Sequence, residues 1–121
     1  MAKIVWAEFE DVVRFYGPIE FIGRWVGKAV KRNMAVIGFG GLLEQQDGTW
    51  LAFLEVPKAY RKPSIYRHVV QGVAKAKADG ATVIKALCDE SIPGADRLLR
   101  HLGFEPTGET VDDKVVWIWQ N

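Results

Sequence analysis

Cysteine is almost missing from this sequence. Cys88 is the single one in 121 residues, which excludes an internal disulfide and a cysteine-built zinc site and fits a reducing, cytoplasmic setting. Histidine is nearly as scarce, and His68 and His101 lack metal-ligand spacing, so no metal site is expected. Charge of one sign is in short supply too: the net charge of +1 removes any strong global pull towards nucleic acid or membrane. No apolar run approaches the length of a membrane span. The opening residues, Met1 to Trp6, meet Glu8 where the apolar stretch of an export signal would continue, so a cleaved signal is not expected. Internal repeats, low-complexity tracts and linkers are absent, which predicts one soluble domain over residues 1–121.

What is present is a pattern of short periodic segments. Ile4 to Trp6 predicts an opening strand. Phe9, Val12, Val13 and Tyr16 recur at helical spacing, and Gly17-Pro18 stops that helix. Residues 22–31 and 34–43 read as strands around a turn at Arg32-Asn33, and Gln46-Asp47-Gly48 marks a second hairpin. Trp50 to Val56 is nearly continuous and apolar, as in a strand covered on both faces. Pro63 suits the first position of a helix striped by Ile65, Val69, Val73 and Ala76 and ended by Gly80. Thr82 to Cys88 is a further strand. Pro93 opens a short helix with Ala95, Leu98, Leu99 and Leu102 inward and Gly103 at its end. The chain closes with a strand near Phe104, a turn at Asp112-Asp113 and a strand from Val115 to Trp119. The predicted class is α/β: an antiparallel meander, a β-α-β unit and a C-terminal hairpin in one mixed sheet, with helices on both faces. Residues 34–43 and 49–56 should pair antiparallel, and 82–88 should run parallel to 49–56.

That order is similar to the fold of the GNAT family of acetyl-CoA-dependent N-acetyltransferases, and local motifs agree. Val56-Pro57-Lys58-Ala59-Tyr60-Arg61 resembles the passage from the family's central strand into its cofactor loop. The stretch Ala95 to Glu105, with its terminating Gly103-Phe104, resembles the family's late helix. Phe15-Tyr16-Gly17 and Ser91-Ile92-Pro93-Gly94-Ala95 look more narrowly like short GNAT-like proteins encoded by bacteriophages, which adds the host cytoplasm or a virion to the expected locations.

The resemblance implies acetyl-CoA as cofactor. Its contacts would come from Leu54 and Val56 on the central strand and from Arg61, Lys62, Ser64, Ile65 and Tyr66 at the loop and helix start. In the family, glycines let backbone N–H groups approach the pyrophosphate at a helix N-terminus. Here Arg61 matches, but Ser64 and Tyr66 stand where small residues are wanted, and Lys62 replaces another common glycine. The late-helix tyrosine that often protonates the leaving thiolate aligns with Leu99, and a common asparagine aligns with Ile92. Glu55 is the candidate base; its other reading is a strand carboxylate facing solvent or a basic neighbour. Cys88 reads as a core thiol and His68 as a surface residue.

Two functions stay open on these residues. One is an acyl-CoA-dependent N-acetyltransferase with a degenerate pyrophosphate loop, moving acetyl to an amine. The other is a non-catalytic GNAT-like binding or virion-associated protein that has lost coenzyme A. The basic stretch Lys58, Arg61, Lys62, Arg67, Lys75 and Lys77 suits coenzyme phosphates, a nucleic acid or an acidic partner on sequence grounds, and a plain solvated helix face at least as well. Trp117 and Trp119 share one face of the last strand, where such aromatics belong to the core or to an interface; were that strand an edge, it would pair with a second copy of the chain. The amine substrate or a protein partner is the expected ligand besides coenzyme, with no membrane and no nucleic acid. If phosphate binds at the loop, Arg61→Ala and added salt each weaken coenzyme A binding, since exposed ionic contacts are screened; titration calorimetry in low and high salt checks this.

Overall fold

The computed structural model describes residues 2–21, 23–57, 64–88 and 93–121. Within them the order is β1 (Ala2–Trp6), α1 (Phe9–Tyr16), β2 (Trp25–Arg32), β3 (Ala35–Glu44), β4 (Trp50–Glu55), α2 (Ile65–Ala78), β5 (Val83–Cys88), α3 (Ala95–His101), β6 (Glu105–Val111) and β7 (Lys114–Gln120). The strands form one mixed sheet in the order β1-β2-β3-β4-β5-β7-β6. The expected α/β class holds: β2 to β4 make the antiparallel meander, α2 links the parallel pair β4 and β5, and β6 and β7 close the sheet as a hairpin.

Turn chemistry sets the reversals. Asn33 takes the left-handed conformation between β2 and β3, and Asp112 and Asp113 both take it between β6 and β7, as a two-residue hairpin whose twist matches its strands requires. Thr49 N–H donates to Asp47 Oδ1 across the β3–β4 turn, at 2.9 Å. Helix α2 ends where Gly80 (φ 105°) turns the chain and Ala81 N–H reaches back to the Ala76 carbonyl.

The sheet carries a different core on each face. Under α2 and α3, Val26, Leu42, Trp50, Val73, Ile84, Phe104 and Trp117 are buried together. A smaller cluster at the other end of α2 joins Val30, Val56 and Ile65. On the opposite face α1 packs Val12 onto Ala29 and Phe39, with Phe15, Phe21, Trp25 and Phe53 around them. Helices on both faces follow from this. Two expectations need correction. Strand β7 lies between β5 and β6, so Trp117 and Trp119 are not on an edge. Instead they face α3 and α2, with Arg100 over the Trp117 ring and Lys77 over Trp119; the edges are β1 and β6. On α3, Leu98 and Leu102 are half-buried rather than buried, because that helix borders the cleft described below.

Helix α1 is tied to the sheet by a charge. Asp11, 4% exposed, pairs with Lys31 of β2 at 2.7 Å and accepts the Glu8 N–H at 2.9 Å. Burial opposes ionisation, but the Lys31 hydrogen bond, the Glu8 N–H and the Lys31 and Arg14 charges outweigh it and hold the Asp11 carboxyl below its ordinary value of 3.8. A lowered carboxyl contributes stability above its unfolded value and loses it as pH falls through the folded one. Asp11→Asn should therefore cost about 1–3 kcal/mol near neutral pH. The gap between wild type and variant should narrow as pH drops below 3.8; urea midpoints measured across that range check it.

Candidate functional site

The site arises where two strands part. The ladder between β3 and β4 continues to Phe39↔Glu55, and that between β5 and β7 to Cys88↔Val115. The parallel ladder between β4 and β5 stops at Ala52↔Ala86. Beyond that pair the sheet opens as a V, and the β4 backbone from Phe53 to Glu55 has left its β5 neighbour. Above the V, on the face covered by α2 and α3, lies a cleft of about 200 Å³. Its walls are mostly aliphatic: Leu54 and Val56 from β4, Ile65 and Val69 from α2, and Leu98 and Leu99 from α3 all border it.

Glycine placement makes the floor. A side chain at Gly40 would bring its Cβ within 2.8 Å of a Leu54 methyl carbon. Gly72 of α2 also lines the cleft, so helix and sheet close over it without filling it.

The expected cofactor residues divide clearly. Leu54, Val56, Ile65 and Tyr66 line the cleft. Ser64 precedes α2 as an exposed residue whose side chain does not cap the helix. Arg61 and Lys62, with Pro63, lie outside the described residues, as do Ser91 and Ile92. Leu99 lines the cleft as a plain hydrocarbon.

Tyr66 projects from the first turn of α2 towards α3, and its hydroxyl donates to the Pro93 carbonyl at 2.9 Å. Its ring packs beside Val30, Val56 and Ile65. A tyrosine thus ties together the two helix starts that flank the mouth of the cleft. The ring is anchored at its far end by that hydrogen bond.

Alternation along β4 sends Glu55 to the α1 face, opposite Leu54. There it lies beside Tyr16, the last residue of α1, and is exposed. Burial first, then the nearby Glu55 carboxylate, push the Tyr16 hydroxyl well above its ordinary value of 10.0. Its ring sits among Phe15, Phe39 and Phe53. Glu55 is exposed on the far side of the V, so both readings of it, base and solvent-facing carboxylate, stay open there.

His68, expected as a partly exposed residue, is half-buried, and it also lines the cleft, which the sequence did not show. Its Nδ1 lies 2.8 Å from the Lys28 Nζ of β2. Burial, then the charges of Lys28 and Arg67, lower the His68 value from its ordinary 6.5. A lysine ammonium only donates, so Nδ1 is the acceptor and the imidazole is neutral. Nothing in the sequence links residues 28 and 68 except their separate places on amphipathic elements.

Comparison with known structures places this architecture. An N-acetyltransferase from Staphylococcus aureus Mu50 superposes with a TM-score of 0.67 at 16% identity, over 99% of this chain and 98% of that one. An acetyltransferase from Bacillus subtilis, solved in complex with CoA, gives 0.61 at 17% identity over 100% and 99%. A putative acetyltransferase from Salmonella typhimurium, solved with its cofactor acetyl-CoA, gives 0.65 at 14% identity over 99% and 94%. No family model matches the sequence, and no curated protein matches it either. The chain has the fold of the GNAT acetyltransferases. Among the described residues no group of three or more histidine, cysteine, aspartate or glutamate side chains is gathered as a metal site, and no helix is long and apolar enough to cross a membrane.

Removing the Tyr66 hydroxyl isolates the tie across the cleft mouth. Tyr66→Phe should lower stability by about 0.5–1.5 kcal/mol and speed amide exchange at the start of α3, measured by hydrogen–deuterium exchange. Unchanged exchange there would show that the two helix starts are held by other contacts.

Proposed function

We propose that this protein is an acyl-CoA-dependent N-acetyltransferase acting on an amine. The observation that carries the reading is the parting of β4 from β5 after Ala52↔Ala86 above an apolar cleft. Backbone groups released from a ladder can bind an extended ligand as a missing strand would. The pantetheine arm of a coenzyme, with its amides, has that form. Three solved proteins of this fold were crystallised with CoA or acetyl-CoA. In this reading Leu54 and Val56 flank the arm, Ile65 and Tyr66 border it, and Arg61, Lys62 and Ser64 meet the pyrophosphate at the start of α2. That start suits an anion: the first turn carries no acidic residue, and no side chain caps it among the described residues.

The chemistry needs a thioester held still and an amine freed of its proton. An amine approaching from the α1 face meets Glu55, which lies beside Tyr16. Glu55 would take one ammonium proton, the neutral amine would attack the thioester carbonyl as the C–S bond breaks, and the second amine proton would pass to the departing thiolate, leaving an amide and free coenzyme A. Leu99 supplies no proton to it, so positioning and exclusion of water carry more of the rate than acid catalysis does. The aromatic wall of Tyr16 and Phe53 beside Glu55 favours an acceptor with an apolar portion next to its amine.

Tyr66 supports the second reading, a binding protein without catalysis. Its ring and its bond to the Pro93 carbonyl stand across the route from the cleft to the start of α2. If that bond is not exchanged for coenzyme contacts, the cleft is closed by the chain's own side chain.

Calorimetry with coenzyme A separates the two. The enzyme reading expects wild-type binding, and Glu55→Gln should retain it while lowering thiol release with an amine panel by about 10²–10⁴-fold. Absence of wild-type binding, with binding gained on Tyr66→Gly, would favour the non-catalytic protein instead.

A further inference from the structure

We propose that Lys28 is itself an acyl acceptor, a self-acylation site at the floor of the cleft served by His68 as its base. This rests on the reading that an acyl-CoA occupies the cleft. The first argument is register. Lys28 of β2 stands opposite Gly40 of β3, and Gly40 stands opposite Leu54 of β4. These positions form one row across the sheet on the cleft face, and Leu54 is the first residue on that face past the parting at Ala52. With strands about 4.8 Å apart, the Lys28 and Leu54 backbones lie roughly 10 Å apart, and Gly40 between them raises no side chain. Lys28 borders the cleft from the β2 side of that open row. Both Lys28 and His68 line the cleft.

The second argument is what surrounds the amine. Its Nζ donates to His68 Nδ1 at 2.8 Å and to the Gln71 side-chain oxygen, and it lies 4.3 Å from the centre of the Trp6 ring. Trp6 reaches it from β1, and Gly40 brings no charge from β3. Among the described residues, the charged and titratable groups facing it are Arg67 and His68 of α2. Its three contacts hold the nitrogen in place, yet none of them is a carboxylate. Burial and then the Arg67 charge lower Lys28 from its ordinary value of 10.5, which increases the share of neutral, nucleophilic amine. A primary amine in contact with a neutral imidazole is the pairing that general-base activation requires.

The step balances without a further reactant. His68 Nδ1 takes one proton from the Lys28 ammonium. The neutral nitrogen attacks the thioester carbonyl carbon, a C–N bond forms and the C–S bond breaks. The second Nζ proton passes to the departing thiolate, giving free coenzyme A and an amide at Lys28, and His68 returns its proton to water. The product lacks the charge that Arg67 opposes.

The experiment is peptide-resolved mass spectrometry of the full chain incubated with acetyl-CoA near neutral pH, with coenzyme A binding measured in parallel by calorimetry. Acetylation of Lys28 should be saturable in acetyl-CoA, suppressed by excess coenzyme A, and at least tenfold faster than that of the exposed Lys3 and Lys75. His68→Gln, which keeps a polar side chain but no base, should slow it roughly 100-fold. Lys28→Arg keeps the charge and should end it without altering the rates at Lys3 and Lys75. Coenzyme A binding with Lys28 modified no faster than Lys3 overturns the inference and leaves the cofactor reading intact. Equal rates for wild type and His68→Gln remove His68 as the base and overturn the proposal as stated. No coenzyme binding, with no preference for Lys28, overturns both, and the calorimetry records the failure of the cofactor reading separately.

Discussion

Strand β4 keeps a full antiparallel ladder with β3, from Glu44↔Trp50 to Phe39↔Glu55, while its parallel ladder with β5 ends at Ala52↔Ala86. The rest of the molecule is arranged around that inequality. At the closed end Trp50 and Ile84, opposite one another and fully buried, clamp the strands together under Val73 and Ala76 of α2. At the open end Val56 is held by Val30 and Ile65, so β4 follows β3 and the start of α2 rather than β5. The V is therefore not a frayed ladder: separate apolar clusters hold its arms.

Both faces of the sheet make use of the opening. Because successive side chains alternate, Leu54 and Val56 border the cleft beneath α2, while Phe53 and Glu55 belong to the α1 face. A ligand lying in the V is lined by hydrocarbon from one side and faces a carboxylate from the other. Helix α1 is fixed to the second side through Asp11 and Lys31, and its last residue, Tyr16, packs its ring against Phe39 and Phe53 there. The described residues of the basic stretch seen in the sequence do not act as one patch. Lys75 pairs with Asp79, Lys77 covers Trp119, and Arg67 stands beside Lys28.

Much of the fold was legible because local rules and tertiary structure agree. The stops at Gly17 and Gly80, the turns at Asn33 and Asp112-Asp113, and the stripe Ile65, Val69, Val73, Ala76 all come from short-range chemistry that the structure keeps. The parallel placement of β4 and β5 followed from the helix between them. The place of β7 was not legible, since the insertion of a C-terminal strand inside a sheet is decided by pairing across the whole chain. The same holds for the site. Leu54, Val56, Ile65 and Tyr66, which line the cleft, come from one stretch of sequence, whereas Lys28 and His68 meet across 40 residues. The register shift between Val30 and Lys31 adds a further obstacle, because a bulge breaks the alternation from which faces are read.

Phe39 shows how such a sheet constrains its own evolution. A Cβ on Gly27 would lie 2.6 Å from Phe39 Cζ, and one on Gly41 would lie 2.5 Å from the Val26 carbonyl oxygen and 3.4 Å from the same ring. The ring thus occupies the space that ordinary strand residues would fill, and it stacks on Phe15 and Phe53 there. Substitutions at these positions cannot be independent. A larger residue at Gly27 becomes tolerable only after Phe39 has shrunk, and shrinking Phe39 first leaves a void under α1. Drift along this part of the sheet has an obligatory order, and divergent sequences of this architecture should exchange the glycine and the aromatic together or keep both.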